Sequence, residues 1–529
     1  MPEPAVEPAA QGQLPTPIGG HRGSTLLAWV AAFVALALRI AFLLTPAGGL
    51  DADEAVTGIM ARRIAQGDDA YLFFLGQSYN SAVEQYPQAL LFALGFPVTP
   101  FVLRIPQLLM SVGACVLVYR VGLRLLPSVR HAVLAAVLFA FGPYPLIWKG
   151  ARSYGSYDAE LLVSLATLLV AVRFDEQTGR RRALHAFGVG LGVGSTYYLS
   201  PSGYYVVLPA ALWFAGSARR ELRMVASAAV GVLAGMLPVL YWTVVNGAFP
   251  IPHPGLLPTT AVERFGNLFD EVGRQFIGVA FLFGEPGWPV ALGRVTLWGL
   301  TLAGVVAIGV RWRGIFALVT ARTAHRRPFD MVLLGIPITV VAYVGSEYAY
   351  FITEPRYLFA AFPILILGLA RLVPHRAPGR TLATAAVLLF VAAPSLTLLV
   401  SRADDVAGDR DADLARVVDA LEADGTRFVY ASYWTAMPLE FEADDRLTVG
   451  TMAVPERLPD ERRAVDRAPD PVWVGSRGVN TDDIATTRDA LDAAGITYRE
   501  RAFGDISVFD RFSRNVRPWD IGLSVPFTG

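Results

Sequence analysis

Apolar runs of about 20 residues recur along this chain from residue 25 to residue 400. A helix needs about that length to cross the hydrocarbon core of a bilayer, where every backbone N–H and C=O must be paired within the chain. The pattern predicts spans near 25–45, 100–123, 131–147, 157–173, 183–199, 203–217, 223–245, 289–310, 330–346, 357–373 and 380–400, about eleven in all. Two further segments, 86–98 and 272–284, are apolar but short, and read as interfacial or re-entrant pieces. Composition agrees: charged residues make up 17 % where a soluble domain has about 25 %, and mean hydropathy is +0.44. Net charge is +0, so nothing in it suggests a nucleic-acid partner.

Arginine placement orients the spans. Arg22, then Arg124 and Arg130, Arg173 and Arg180–Arg182, Arg219, Arg220 and Arg223, Arg311–Arg327, and finally Arg371, Arg376 and Arg380 fall on alternate loops. Basic residues favour the cytoplasmic side. The N-terminus is therefore expected in the cytoplasm of a plasma-membrane protein, with loops 46–99, 148–156, 246–288 and 347–356 on the external face. Residues 1–22 are rich in Pro, Ala and Gln and read as a disordered cytoplasmic tail. The first span lacks a cleavage motif and is expected to stay as an anchor. The single cysteine, Cys115, lies in an apolar run and reads as a small core residue.

The division expected is a tail to residue 22, a multi-span module over 23–402, and a domain of different character over 403–529. That last part is charged, with strand-like runs at Phe428-Val429-Tyr430 and Val472-Trp473-Val474 and helical patterns at 411–423 and 482–494. It is expected to be a small external α/β domain, positioning an acceptor or covering the site.

Chemistry concentrates just after the first span. Leu50-Asp51-Ala52-Asp53-Glu54 places three carboxylates within four residues. Val56, Ile59, Met60 and Ile64 then share one helical face while Thr57, Arg62 and Gln66 fall off it, the pattern of an amphipathic helix lying on the membrane surface. Asp51 and Glu54 have capping-box spacing, and a cap accounts for both without any function. It leaves Asp53 over, free to act as a base or to hold a metal.

Asp53-Glu54-Ala55, followed by Gly58, Ala61, Ile64 and Gly67, resembles the Asp-Glu loop of the GT-C glycosyltransferase superfamily, near the protein O-mannosyltransferases and lipid A aminoarabinose transferases. Arg39 near the end of the first span and Glu354-Pro355-Arg356-Tyr357-Leu358 with Pro363 are also similar, and Asn246, Pro250, Pro254 and Phe283-Gly284 follow more loosely. The resemblance spans roughly residues 25–400. It implies a membrane transferase that moves a sugar from a polyprenyl-phosphate donor to an acceptor hydroxyl on a cell-envelope glycan, lipid or protein, with inversion. Asp53 would be the base and Glu54 its neighbour or cap. No nucleotide or redox cofactor is implied; a divalent metal is left open.

Negative charge develops on a leaving phosphate, so cations are expected beside it. Arg356, at the external end of its span, suits bidentate phosphate contact, with Tyr357 beside it; otherwise it is an arginine snorkelling to the interface. Lys149, the only lysine, and Arg152 with Tyr154 stand on the external side against the positive-inside trend. They bind an anion or pair with Asp158 or lipid head groups. Glu347 and Glu354 bracket the late loop, either to pair with Arg356 or to hold a metal. Arg39 lies within its span and demands an acidic partner or a donor phosphate. Tyr197, Tyr198, Tyr204 and Tyr205 read first as an aromatic belt, and His253 as structural. The alternative class is a lipid or glycolipid flippase, which would place ionisable groups near the membrane midplane.

Overall fold

The computed structural model describes residues 22–45, 48–77, 79–250, 259–281, 287–375, 379–403, 410–452, 455–477 and 483–524. The tail to residue 21, His253, Pro254, Phe283-Gly284 and Arg376 lie outside them. The chain opens with α1 (Arg22–Leu43), and its first long loop holds α2 (Ala52–Gln66) and α3 (Gln85–Ala93). Then follow α4 (Pro100–Leu125), α5 (Val129–Phe141), α6 (Tyr144–Lys149), α7 (Tyr157–Arg173), α8 (Gly179–Leu199), α9 (Tyr204–Ala218) and α10 (Leu222–Asn246). Short α11 (Ala261–Asn267) and α12 (Gly273–Phe276) precede α13 (Val290–Val310), α14 (Trp312–Val319), α15 (Asp330–Gly345), α16 (Phe362–Leu372) and α17 (Arg380–Ala403).

Every run expected to span is largely helical, although 131–147 and 357–373 are each divided. Among the described residues five are long and apolar enough to cross a bilayer: Gly23–Leu43, Pro100–Leu125, Leu222–Asn246, Val290–Val310 and Arg380–Thr397. Two shorter apolar helices are Val129–Phe141 and Asp330–Gly345. α7 packs against α4, α8 and α9 and buries Asp158, Glu160, Ser164 and Thr167, so its polar side chains face protein. The run 131–147 is not one helix. Gly142 takes a left-handed φ of 42° and Pro143 has no N–H to donate, so the chain breaks there and restarts as α6.

α8 and α10 approach closely because glycines line their seam. Gly190 and Gly194 lie against the Ala228 and Val232 carbonyls, and Gly231 and Gly235 against the backbone of Phe187 and Leu191. At one end of the bundle the arginine-rich loops knit together. Arg124 pairs with Glu176, Arg182 with Glu221 at 2.8 Å and Arg326 with Asp175 at 3.3 Å, and His131 Nε2 meets the Val373 carbonyl at 3.1 Å. Alternate loops therefore share one end, as the charge pattern requires. Cys115 is buried in the core.

At the other end sits the C-terminal domain: α18 (Arg410–Ala423), β1 (Phe428–Ala431), α19 (Tyr433–Ala443), β2 (Thr448–Thr451), α20 (Pro459–Arg467), β3 (Val472–Ser476), α21 (Asp483–Ala493), β4 (Arg499–Phe503) and β5 (Ile506–Asp510). Its sheet runs β2-β1-β3-β5-β4, with β1 parallel to β2 and β3, and β5 antiparallel to β3 and β4. Strand β3 is buried throughout, as a strand covered on both faces should be.

α2 departs from expectation. It is no surface helix with one wet face. Val56, Ile59 and Met60 share a core with Val417, Val429, Met437 and Phe441 of the C-terminal domain, while Thr57 and Arg62 on the opposite side are buried too. Arg62 reaches Asp444 at 2.9 Å, Arg63 pairs with Glu461, and the Phe441 ring lies on Gly58. Each fully buried aliphatic side chain here contributes about 1.5–3 kcal/mol, which outweighs a wet membrane surface once a second apolar face is at hand. The helix is clamped between the domain and the bundle.

Substituting Gly190 by Leu drives a side chain into the Ala228 carbonyl, which as helix backbone cannot yield. The expected cost is about 1–3 kcal/mol, read as a lowered Tm in detergent, with Gly188→Leu, which faces only Val170, as the milder control.

Candidate active site

Successive residues on a helix turn by about 100°, and that rotation separates the three loop carboxylates. Asp51 caps α2, accepting from the Glu54 N–H at 3.0 Å. Glu54 turns inward. Its carboxylate receives Arg104 bidentately, Nε at 2.7 Å and Nη2 at 2.5 Å, and the Ser153 N–H at 3.3 Å, with no exposure at all. It does not close a capping box. Asp53 turns toward a cavity of about 500 Å³ lined by the first long loop, the helix bundle and the late loop at 345–357. Its Oδ1 accepts from the Tyr433 phenol at 2.6 Å and its Oδ2 lies 3.8 Å from Arg356 Nη1.

Lys149, delivered by α6, lies against the rings of Trp148, Tyr154 and Tyr157 at 4.9, 4.3 and 5.0 Å. Its ammonium bonds both Glu354 oxygens, at 3.1 and 3.2 Å. Arg356, stacked on Phe351 at 4.2 Å, also pairs with Glu354. One buried carboxylate thus holds two cations side by side. Burial pulls the Lys149 ammonium down to about 8 against the opposing attraction of Glu354. Burial also pushes the Glu354 carboxyl up, but Arg356 and Lys149 outweigh it and hold it below the usual value.

Of the residues the sequence singled out, Asp53, Lys149, Tyr154, Arg356, Tyr357 and Glu347 line the cavity, and Glu354 stands behind its cations. Glu54, Arg152 and Arg39 do not line it. Arg152 turns to the cap, bonding Asp51 at 3.2 Å and Tyr154 Oη at 2.9 Å. Arg39 is fully buried, 5.5 Å from the Phe139 ring, and its Nη1 donates to the Ala35 carbonyl at 3.2 Å. Lys149 has Glu354 as its partner, not Asp158. Of the tyrosines thought to form a belt, Tyr205 lines the cavity, whereas the hydroxyls of Tyr197, Tyr198 and Tyr204 bond the carbonyls of Pro250, Leu72 and Val193. Among the described residues no three His, Cys, Asp or Glu side chains converge as metal ligands.

Comparison with known proteins places this geometry. The family described as dolichyl-phosphate-mannose-protein mannosyltransferase matches residues 82–242. ArnT from Cupriavidus metallidurans bound to undecaprenyl phosphate superposes with a TM-score of 0.60 at 14 % identity, over 96 % of this chain and 100 % of that one. Its apo state superposes at 0.57 with 15 % identity, over 94 % and 99 %. The oligosaccharyltransferase of Archaeoglobus fulgidus in its apo form superposes at 0.50 with 13 % identity, over 86 % of this chain and 69 % of that one. No curated protein matches by sequence. Residues 82–242 thus match a mannosyltransferase family, and the chain as a whole shares its fold with ArnT.

Two residues of this constellation escaped the sequence. Arg104 stands on the same side as Lys149 and Arg152, so the misplaced-charge signal that found those two applies to it as well. Tyr433 reaches Asp53 across 380 residues of chain, and nothing local marks it.

If Glu54 serves to hold Arg104 and so to orient α2, Arg104→Met leaves a buried carboxylate unpaired and costs about 3–5 kcal/mol. The double variant Glu54→Leu/Arg104→Met should recover most of that loss in a thermal melt.

Proposed function

We propose that this transferase moves a sugar from a polyprenyl-phosphate donor to an acceptor hydroxyl of a cell-envelope glycan, lipid or protein, at the extracytoplasmic membrane face, with Asp53 as general base. The observation that carries the reading is the pairing of a carboxylate with two tethered cations on one cavity: Asp53 Oδ2 lies 3.8 Å from Arg356, and Lys149 stands behind on Glu354. The acceptor oxygen attacks the anomeric carbon and its proton passes to Asp53 Oδ2. The bond from that carbon to the phosphate oxygen breaks, and the lipid phosphate leaves as an anion beside Arg356 and Lys149. A single displacement inverts the anomeric centre.

Tyr433, donating to Oδ1, holds the carboxylate so that Oδ2 faces the cavity. Glu354 keeps two cations together that would otherwise repel, so the phosphate site is formed before the donor arrives. Three further points support the reading. The shared fold includes a protein crystallised with undecaprenyl phosphate. The arginine-rich loops lie at the far end of the bundle from the cavity. The alternative of a flippase has no use for a hydrogen-bonded base next to paired cations. Arg152, Arg39 and Glu54 act in this reading as structural supports, and Tyr154 and Tyr357 as cavity walls against the donor.

Two outcomes are expected. Asp53→Asn keeps size and hydrogen bonding but removes the basic oxygen; release of free lipid phosphate from radiolabelled donor in membranes should fall by roughly 10²–10⁴-fold, and normal turnover would sink the mechanism. In the second, kcat/KM for the donor falls as pH rises through about 8, because free enzyme loses the Lys149 charge. Lys149→Arg, which keeps its charge, removes that alkaline limb.

A further inference from the structure

The loop joining α8 to α9 reads Leu199-Ser200-Pro201-Ser202-Gly203. Pro201 opens a tight turn over Pro201–Gly203. A Cβ at Gly203 would press on Ser164 Oγ at 3.1 Å and Glu160 Cγ at 3.2 Å, so glycine lets the turn lie directly on α7. The result is a short relay. Ser202 Oγ donates to Glu160 Oε1 at 2.6 Å, Ser200 Oγ lies 3.0 Å from Ser202 Oγ, and the Ser200 hydroxyl and Gly203 N–H also face the carboxyl group. Glu160 itself is 1 % exposed, whereas both serines line the cavity.

A serine hydroxyl has one hydrogen and two lone pairs. With Glu160 ionised, those hydrogens are drawn inward along the relay, and Ser200 and Ser202 turn only lone pairs to the cavity. Tyr205 beside them is committed as well, its phenol donating to the Tyr357 carbonyl at 2.9 Å. This wall is an acceptor of hydrogen bonds, while the wall of Lys149 and Arg356 offers charge and N–H donors. A phosphate, which only accepts, fits the cationic wall and is refused by the serine wall. A sugar ring, whose hydroxyls donate, fits the serine wall.

Resting on the transferase reading above, we propose that Ser200 and Ser202 form the subsite for hydroxyl groups of the donor sugar, with Glu160 as the positioning residue that turns their lone pairs toward it. The relay also explains donor orientation: a sugar phosphate enters with its phosphate on Lys149 and Arg356 and its ring hydroxyls on the serines. A purely structural role for Glu160, tying down the start of α9, would affect every donor alike.

Substrate deletion paired with side-chain deletion tests this. Undecaprenyl-phosphate mannose, glucose, galactose and arabinose are offered to the wild type in membranes, followed by each monodeoxy form of the sugar consumed. At one ring position the missing hydroxyl should cost wild type roughly tenfold or more in kcat/KM, as for a polar site left unpaired. That penalty should shrink to less than about twofold in Ser202→Ala and to an intermediate value in Glu160→Gln. Penalties unchanged in Ser202→Ala at every position overturn the subsite. A uniform loss over all donors in Glu160→Gln, with the deoxy pattern intact, overturns the positioning role. A wild type that consumes no donor sinks the transferase reading and this inference together.

Discussion

A charge removed from water beside a bilayer must be paired, because leaving it alone costs several kcal/mol. That constraint organises the cavity end of this protein. Glu54 is fully buried, and its bidentate grip on Arg104 ties α2 to α4. Once Glu54 is held, helical rotation leaves Asp53 facing the cavity, so that carboxylate is aimed by its neighbour's ion pair. Glu354 applies the same logic to cations: pairing with both Lys149 and Arg356 keeps two like charges side by side on one cavity.

The second organising element is the core shared by α2 and the C-terminal domain. Ile59 and Met60 pack among Val429 and Phe441 as if they belonged to that domain. Through this seam the domain places Tyr433 on Asp53. A side chain from the part of the chain with soluble character thereby holds a carboxylate that lines the cavity. The lone lysine acquires a rationale here as well. Its ammonium fits among three aromatic rings and on a carboxylate as a compact point charge.

Much of this was legible in advance. Arginine on alternate loops placed the cavity loops together, because translocation cost acts on each loop's own charge. Asp53 and Lys149, which line the cavity, stood out because a cation on the wrong side or an acid beyond its cap is a local anomaly that asks for a partner, whereas Arg356 and Tyr357 stood out through the resemblance of their stretch. α2 was misjudged for a related reason. Its apolar face was read correctly, but hydrophobic periodicity states only that a face is buried, and a protein domain covers it as well as a lipid surface does. Arg152 carried the same anomaly as Lys149, yet it turned to Asp51 and Tyr154. Charge placement cannot say which of two neighbouring cations faces a cavity.

What the sequence determined by itself is the set of quantities local to each segment: which runs become helices, which loops share an end, and which carboxylate is surplus to capping. These follow from transfer free energies and turn-by-turn geometry that need no distant partner. Tertiary structure alone decided the pairings: Glu54 with Arg104, Glu354 with Lys149, Tyr433 with Asp53, and the serine relay on Glu160. Each joins segments 42 to 380 residues apart. A buried charge specifies that a counter-charge must exist, while only the packing of the helices determines which one arrives.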